Sequence, residues 1–173
     1  MILFNKMDQA KPEDVESIKV NLAEHNPDAI VLEASSPIAV ENEESLRGKR
    51  ALVVEDGPTV THGEMGYGAG LIAARRAGCE IVDPRPAADG EIADAFKKYT
   101  HLTQVLPALG YGDAQVAELQ ATINRTDCDV VVIGTPIDLS RIVSIDKPHV
   151  RVTYSCEETS EPGLKKILGD RIS

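Results

Sequence analysis

The chain has 173 residues, and its 42% hydrophobic and 27% charged content is typical of a folded globular protein and excludes a disordered one. Eighteen basic residues against 28 acidic ones give a net charge of −10, which excludes a general nucleic-acid or anionic-membrane binder, because such proteins need a basic face. No apolar run approaches the roughly 20 residues that span a bilayer, and no secretory signal is visible. The three cysteines form no zinc-binding pattern, so we predict no metal site and a cytoplasmic location.

The first 40 residues predict the end of an α/β domain. Residues 1–4 have the apolar pattern of a strand, residues 13–24 form an amphipathic helical pattern, and residues 29–33 predict a second strand. Residues 41–50 are charged and contain a glycine, which is typical of a linker. We therefore predict a first domain over residues 1–40 that is joined by residues 41–50 to a second one.

Polar loops follow both of these strands. Asn5-Lys6-Met7-Asp8 has the N-K-x-D pattern of guanine-nucleotide proteins, in which the aspartate accepts hydrogen bonds from guanine N1–H and N2–H₂ and the lysine stem covers the base. The second loop, Glu33-Ala34-Ser35-Ser36, resembles the loop that places a main-chain N–H near guanine O6. The alternative is a simple turn whose aspartate starts a helix. The predicted cofactor-binding residues are Asn5, Lys6, Asp8, Ser35 and Ser36.

The phosphate-binding half of such a nucleotide site is missing. No G-x-x-x-x-G-K-[ST] loop occurs in the chain, and the first strand begins at Met1. We therefore interpret residues 1–40 as the C-terminal part of a P-loop NTPase domain. GTP or ATP with Mg would bind only in the complete protein, where a P-loop-bearing N-terminal segment or subunit completes the site. We expect the isolated chain to be inactive.

Residues 51–173 repeat a strand-then-helix pattern. Short β-branched runs that alternate with helices predict right-handed βαβ units, and hence a Rossmann-like α/β domain with a parallel sheet. The strands are predicted at 51–55, 80–83, 102–106, 129–134 and 149–154, and the helices at about 66–77, 91–98, 113–124, 138–143 and 161–169.

A glycine-rich segment over residues 56–70 leaves the first of these strands. Glycines let main-chain N–H groups approach an anion closely, and open α/β sheets bind ligands at this edge. Arg85, after the next strand, could grip a carboxylate or phosphate with two hydrogen bonds. The alternative is a turn that packs its helix tightly on the sheet. The predicted substrate-binding residues are Asp56, Gly57, Thr59, Thr61, His62, Gly63, Gly66, Gly68 and Arg85.

Together with the N-K-M-D loop, the segments VVEDGPTVTHGEMGYGAG, VDPRP, VLPALGYG and INRTDCDVVVIGTPIDLSRI resemble the C-terminal half of the cyclic 2,3-diphosphoglycerate synthetase family. This resemblance implies a P-loop domain joined to a further α/β domain. The implied activity is nucleotide-dependent phosphoryl transfer that forms an intramolecular phosphoanhydride in 2,3-bisphosphoglycerate. It also implies that the glycine-rich loop, with His62 and Arg85 as catalytic residues, holds the phosphorylated three-carbon acid.

Two other functions stay open at this point. A non-catalytic domain that binds a nucleotide or phosphometabolite and regulates a P-loop partner fits the same residues. A stand-alone α/β enzyme with His62 as general base is the other alternative. In each case we expect a homo-oligomer with no nucleic-acid or membrane partner.

Overall fold

A computed structural model describes residues 1–62 and 65–172, with side chains described up to residue 169. The strands are β1 (Ile2–Phe4), β2 (Val31–Ser35), β3 (Ile38–Val40), β4 (Arg50–Asp56), β5 (Glu80–Ile81), β6 (Leu106–Ala108), β7 (Val130–Ile133), β8 (His149–Tyr154) and β9 (Glu157–Glu158). The helices are α1 (Pro12–His25), α2 (Gly57–His62), α3 (Ala69–Arg76), α4 (Gly90–Lys98), α5 (Asp113–Arg125) and α6 (Leu164–Ile172), and single 3-10 turns occupy Glu43–Leu46, Arg85–Ala87 and Leu139–Arg141.

The described chain divides into two compact units. Unit 1 combines Met1–Ile38 with the segment from Tyr154 onward, and unit 2 is Ala39–Thr153. These bounds differ from the predicted second domain, which runs to residue 173. The reason is β9, whose residues Glu157 and Glu158 pair with Ser35 and Ala34 of β2 and so bring the C-terminal segment to unit 1.

Unit 1 is a small three-stranded sheet in the order β1-β2-β9. β1 and β2 run parallel, with Ile2 opposite Val31 and Phe4 opposite Glu33, and α1 connects them. α1 begins where a proline can occupy its first turn without losing a hydrogen bond, and Glu13 and Asp14 lie at its positive N-terminal end. That this unit is the remnant of a P-loop domain remains a prediction.

Unit 2 contains a parallel sheet with helices between its strands, so the prediction of an α/β fold with a parallel sheet is confirmed. β4 is central: β7 pairs with one of its edges, while β5 and β6 share the other. The β4 side chains Ala51–Val54 and the β7 side chains Val131–Ile133 are fully buried. Uninterrupted apolar runs of this kind are expected of strands that are covered on both faces.

The largest difference from the predicted elements lies directly after β4. The sequence predicts a loop from residue 56, whereas residues 57–62 form the short helix α2 and the next helix, α3, begins at residue 69. Pro58 is compatible with a helix start because its missing N–H has no partner in a first turn. Within the described part of the chain, no helix is long and apolar enough to cross a membrane.

Candidate functional site

The two polar loops of unit 1 contact each other. The Ser36 main-chain N–H donates to Asp8 Oδ1 at 2.8 Å, and the Met7 N–H donates to the Ala34 carbonyl at 3.0 Å. The Gln9 side-chain amide adds a hydrogen bond to the Ser36 carbonyl at 2.9 Å. The parallel pairing of β1 and β2 produces this contact, because both loops leave the same edge of the sheet.

The turn at Asn5 and Lys6 has an unusual backbone. Lys6 has φ of +61°, a left-handed conformation that non-glycine residues rarely adopt, and its N–H donates to Asn5 Oδ1 at 2.8 Å. Such conformations cost free energy and are enriched at functional sites. Ser35 is the last residue of β2, and its hydroxyl donates to the Glu157 carbonyl at 3.4 Å.

Asp8 is an exposed carboxylate whose two oxygens have different partners. The Ser36 N–H is the main reason that the pKa of Asp8 lies below its usual value. Asp8 Oδ2 has a long contact, 3.4 Å, to Gln9 Nε2. An ionised carboxylate of this kind can accept the paired N–H groups of a guanine, as the predicted nucleotide site requires.

The second candidate site lies at the carboxyl ends of β4 and β7. The chain leaves β4 for β5 and β6 on one side, and it leaves β7 for β8 on the other. The loops after these two adjacent strands therefore depart in opposite directions. In open α/β sheets, such a topological switch point is where ligands bind.

Glu55 occupies this switch point. Its side chain is 2% exposed, and its Oε1 accepts a hydrogen bond of 2.8 Å from the Leu71 N–H at the start of α3. The N–H groups of Gly70 and Gly68 also lie close to the carboxyl group and favour its charged form. Burial raises the pKa of Glu55 to about 7, although these three N–H groups oppose the shift by favouring the charged form.

Glycines make room for this carboxyl group. A Cβ on Gly68 or on Gly134 would collide with Glu55 Oε2, and one on Gly70 would lie 3.0 Å from Glu55 Oε1. Gly68 was predicted to bind substrate through its exposed main chain. In the structure its N–H contacts Glu55, so the space that Gly68 leaves open is filled by the protein itself.

α2 uses several of the predicted substrate-binding side chains for its own structure. Asp56 Oδ2 accepts from the Thr59 hydroxyl at 3.0 Å and from the Thr59 N–H at 3.3 Å, so Asp56 acts as the N-cap. The Thr61 hydroxyl donates to the Gly57 carbonyl at 2.8 Å. His62 is exposed, with Nδ1 at 3.2 Å from both the Thr61 hydroxyl and the Pro58 carbonyl.

The remaining glycines of the segment have different surroundings. Gly57 is needed for close packing, since a Cβ there would collide with the Ala108 carbonyl of β6. Gly66 is less restricted, because its Cβ would lie 3.3 Å from the His101 carbonyl. Gly63 lies outside the described residues.

Arg85 is already paired. Its Nε and Nη2 form hydrogen bonds of 2.7–3.0 Å with both carboxylate oxygens of Asp83. The Arg85 guanidinium lowers the pKa of Asp83 below its usual value. An arginine held by a carboxylate in this two-pronged way has fewer N–H groups to offer to a substrate phosphate.

Sequence reasoning assigned no role to two residues at this edge. Glu55 was included in a predicted strand, and its N–H partners lie 13 to 16 positions further along the chain, so no local pattern indicates its burial. Tyr111, after β6, is the second: burial, together with the negative charge of Asp56, raises its pKa. Its phenol and the Asp56 carboxylate therefore belong to the same surface.

Comparison with known proteins adds one relative. No protein-family model matches the chain. Arginine synthetase ArcE of Thermococcus kodakarensis is 52% identical over 169 residues, which cover 97% of this chain. The chain spans 38% of the length of that relative. The relative's name differs from that of the family which the sequence motifs resemble, so the similarity gives no support for cyclic 2,3-diphosphoglycerate as the product.

Proposed function

We propose that this chain is part of a nucleotide-dependent synthetase whose product is arginine or a compound with a similar guanidinium group. The observation that carries this proposal is the 52% identity to an arginine synthetase over nearly the whole chain. Because the chain spans 38% of that relative, the complete reaction would need further parts of a longer protein.

The charges at the unit 2 edge support a cationic ligand. Asp56 lies at the end of β4, Glu55 fills the switch point, and Arg85 is paired with Asp83. A guanidinium group offers N–H donors in a fixed fork that matches a carboxylate. Asp56 is the carboxylate at this edge that we assign to such a contact, with Tyr111 nearby as a further polar group.

Unit 1 would contribute the nucleotide contact. Asp8, with its lowered pKa, and the Ser36 loop form the base-binding side, while Lys6 covers the base with its aliphatic stem. Asp8 favours guanine, because adenine lacks the paired donors that a carboxylate can accept. The phosphates and Mg would be held by residues outside the chain.

Calorimetric titration of the 173-residue chain with L-arginine tests the substrate assignment. We expect arginine to bind and lysine to bind more weakly, because a carboxylate can hold a guanidinium with two hydrogen bonds. Asp56→Asn should weaken arginine binding, while the asparagine still caps α2. The matched control is Asp94→Asn, which removes an exposed carboxylate paired with Lys97 on α4.

A second candidate is the phosphoanhydride-forming activity on 2,3-bisphosphoglycerate, favoured by the motif resemblance over residues 53–70. Binding of 2,3-bisphosphoglycerate without binding of arginine would select it and contradict the arginine assignment. A non-catalytic regulator is distinguished with a protein as long as the relative, supplied with arginine, ADP or GDP, and phosphate. A synthetase run in reverse breaks one guanidinium C–N bond of arginine, releases ammonia and the ureido acid, and joins the phosphate to the nucleoside diphosphate, whereas a regulator forms no nucleoside triphosphate.

A further inference from the structure

The N-terminus of α3 has the arrangement with which open α/β proteins commonly hold an anionic group of a ligand. It follows the central strand β4, it lies at the topological switch point, and its first N–H groups converge on one position. In this chain the group at that position is the Glu55 carboxyl, which accepts from the Leu71 N–H at 2.8 Å and lies against the N–H groups of Gly70 and Gly68.

Three glycines lie close to the Glu55 carboxyl group. Gly68, Gly70 and Gly134 all lack a Cβ where one would touch the carboxyl group. Glu55 is 2% exposed, so the carboxyl group is closed off from solvent. Asp56, the next residue, adds a further acidic group at the same strand end.

We propose that the Glu55 carboxyl group takes the place of a ligand anion at this switch point. The edge of unit 2 then admits a neutral or cationic group of a ligand and excludes a phosphate or carboxylate from the N–H groups of α3. Glu55 is thus a specificity-determining and positioning residue that orders the start of α3 without touching the ligand. This inference does not depend on which reaction the complete protein catalyses.

Chemical rescue tests whether these N–H groups form an anion site once Glu55 is removed. Glu55→Ala deletes the atoms that acetate carries, a methyl carbon and a carboxyl group. We expect sodium acetate to raise the melting temperature of Glu55→Ala by several degrees over sodium chloride at equal ionic strength. The wild-type chain should respond equally to the two salts.

Glu118→Ala is the matched control. Glu118 is another carboxylate that accepts from a main-chain N–H, that of Ile92 at 2.7 Å, and contacts a glycine, Gly90, but it is only partly buried. Water can replace a partly buried carboxylate, so we expect no acetate-specific effect. An equal response of Glu55→Ala and Glu118→Ala would overturn the proposal.

Amide resonances provide a direct measurement on the wild-type chain. In a phosphate or acetate titration followed by NMR, the N–H signals of Gly68, Gly70 and Leu71 should not move, whereas acetate should shift them in Glu55→Ala. Saturable shifts of these signals in the wild-type chain would show that the anion site is open and would contradict the proposal. If Glu55→Ala is unfolded in chloride, acetate must restore its folded circular-dichroism spectrum, and failure to do so would also contradict it.

Discussion

Asp8 in unit 1 and Glu55 in unit 2 are both carboxyl groups near the carboxyl end of a parallel strand that accept main-chain N–H bonds, yet their pKa values move in opposite directions. One N–H group, that of Ser36, is the main reason that the pKa of the exposed Asp8 is lowered. Three N–H groups do not prevent burial from raising the pKa of Glu55 to about 7. The loss of hydration therefore outweighs three favourable contacts, and burial decides which carboxyl group stays ionised.

The pH dependence of stability gives the largest test of this contrast. The pKa of Glu55 is about 7 in the folded chain and near 4.5 in the unfolded one, so the folded state binds the extra proton between these values. The stability that Glu55 contributes by binding this proton is fully present below pH 4.5 and is lost as the pH rises through 7. The wild-type chain should lose about 3 kcal/mol of stability relative to Glu55→Gln over this range.

Urea unfolding of the two proteins at several pH values measures that difference. Glu55→Gln removes the titrating group at nearly constant size, so the other ionisable groups cancel in the comparison. Asp56 is the charged neighbour that contributes to the shift, and it is present in both proteins. A wild-type chain that gains stability on Glu55 ionisation would mean that the three N–H groups outweigh burial, and the contrast with Asp8 would disappear.

The second test asks whether Gly68 serves Glu55. Gly68→Ala should destabilise the chain by about 2 kcal/mol, because the new methyl group would overlap the Glu55 carboxyl group. The three atoms nearest to that methyl all belong to Glu55, and the backbone, at φ −141° and ψ −162°, is an extended one that alanine can adopt.

In the Glu55→Ala background the same substitution should cost less than about 1 kcal/mol, which is the remaining penalty for alanine at an N-cap. Thermal or urea unfolding of the four proteins of this double-mutant cycle yields the coupling free energy. Equal costs in both backgrounds would mean that Gly68 is required for another reason, such as direct contact with a ligand.

A smaller effect is expected at Asp8. Asp8→Asn keeps an oxygen that can accept from Ser36 but removes the charge that would pair with guanine N1–H and N2–H₂. We expect GTP or GDP affinity to fall about tenfold while ATP affinity changes little, since charge-assisted hydrogen bonds contribute about 1.5–3 kcal/mol. Titration with fluorescent nucleotides measures this change, on a longer protein that contains this chain and matches the full length of the arginine synthetase relative.

Asp14→Asn, in the first turn of α1, is the control for a change of net charge. A parallel loss of GTP and ATP affinity in Asp8→Asn would argue against base recognition by this loop.

Because the pKa of Asp8 is lowered, the stability it contributes is present at neutral pH and is lost as the pH falls below its unfolded value of 3.8.

The sequence predicts the parts of this molecule whose causes are local or repetitive. β4 and β7 are recognisable because each is an unbroken apolar run, and α5 because of its helical pattern. α2 was missed, although Asp56 followed by Gly57 and Pro58 is a recognisable helix start. The presence of several glycines favoured a loop, and the capping contact from Asp56 to Thr59 decided otherwise.

Long-range contacts account for what the sequence could not predict. The contact between Asp8 and Ser36 follows from two parallel strands and a motif, so that part of the candidate site was accessible in advance. The environment of Glu55 is formed by Gly68 to Leu71 and by Gly134. These residues are distant from Glu55 in the sequence, and the order of the strands in the sheet brings them next to it. A strand order with β7 beside β4 is a tertiary property that strand-helix alternation alone does not fix.

The smallest expected effect concerns Arg85, and it separates the two candidate substrates. If Asp83 pairs with the Arg85 side chain in the working protein as it does in this structure, Arg85→Gln should leave the binding of the ligand arginine unchanged. The melting temperature should also change little, because exposed ion pairs contribute little to stability. If the substrate is 2,3-bisphosphoglycerate, Arg85 would have to exchange Asp83 for a phosphate, and Arg85→Gln should weaken that binding about tenfold. Calorimetry with both ligands on wild-type and Arg85→Gln chains distinguishes these outcomes. Arg75→Gln, an exposed arginine on α3, controls for the loss of one positive charge.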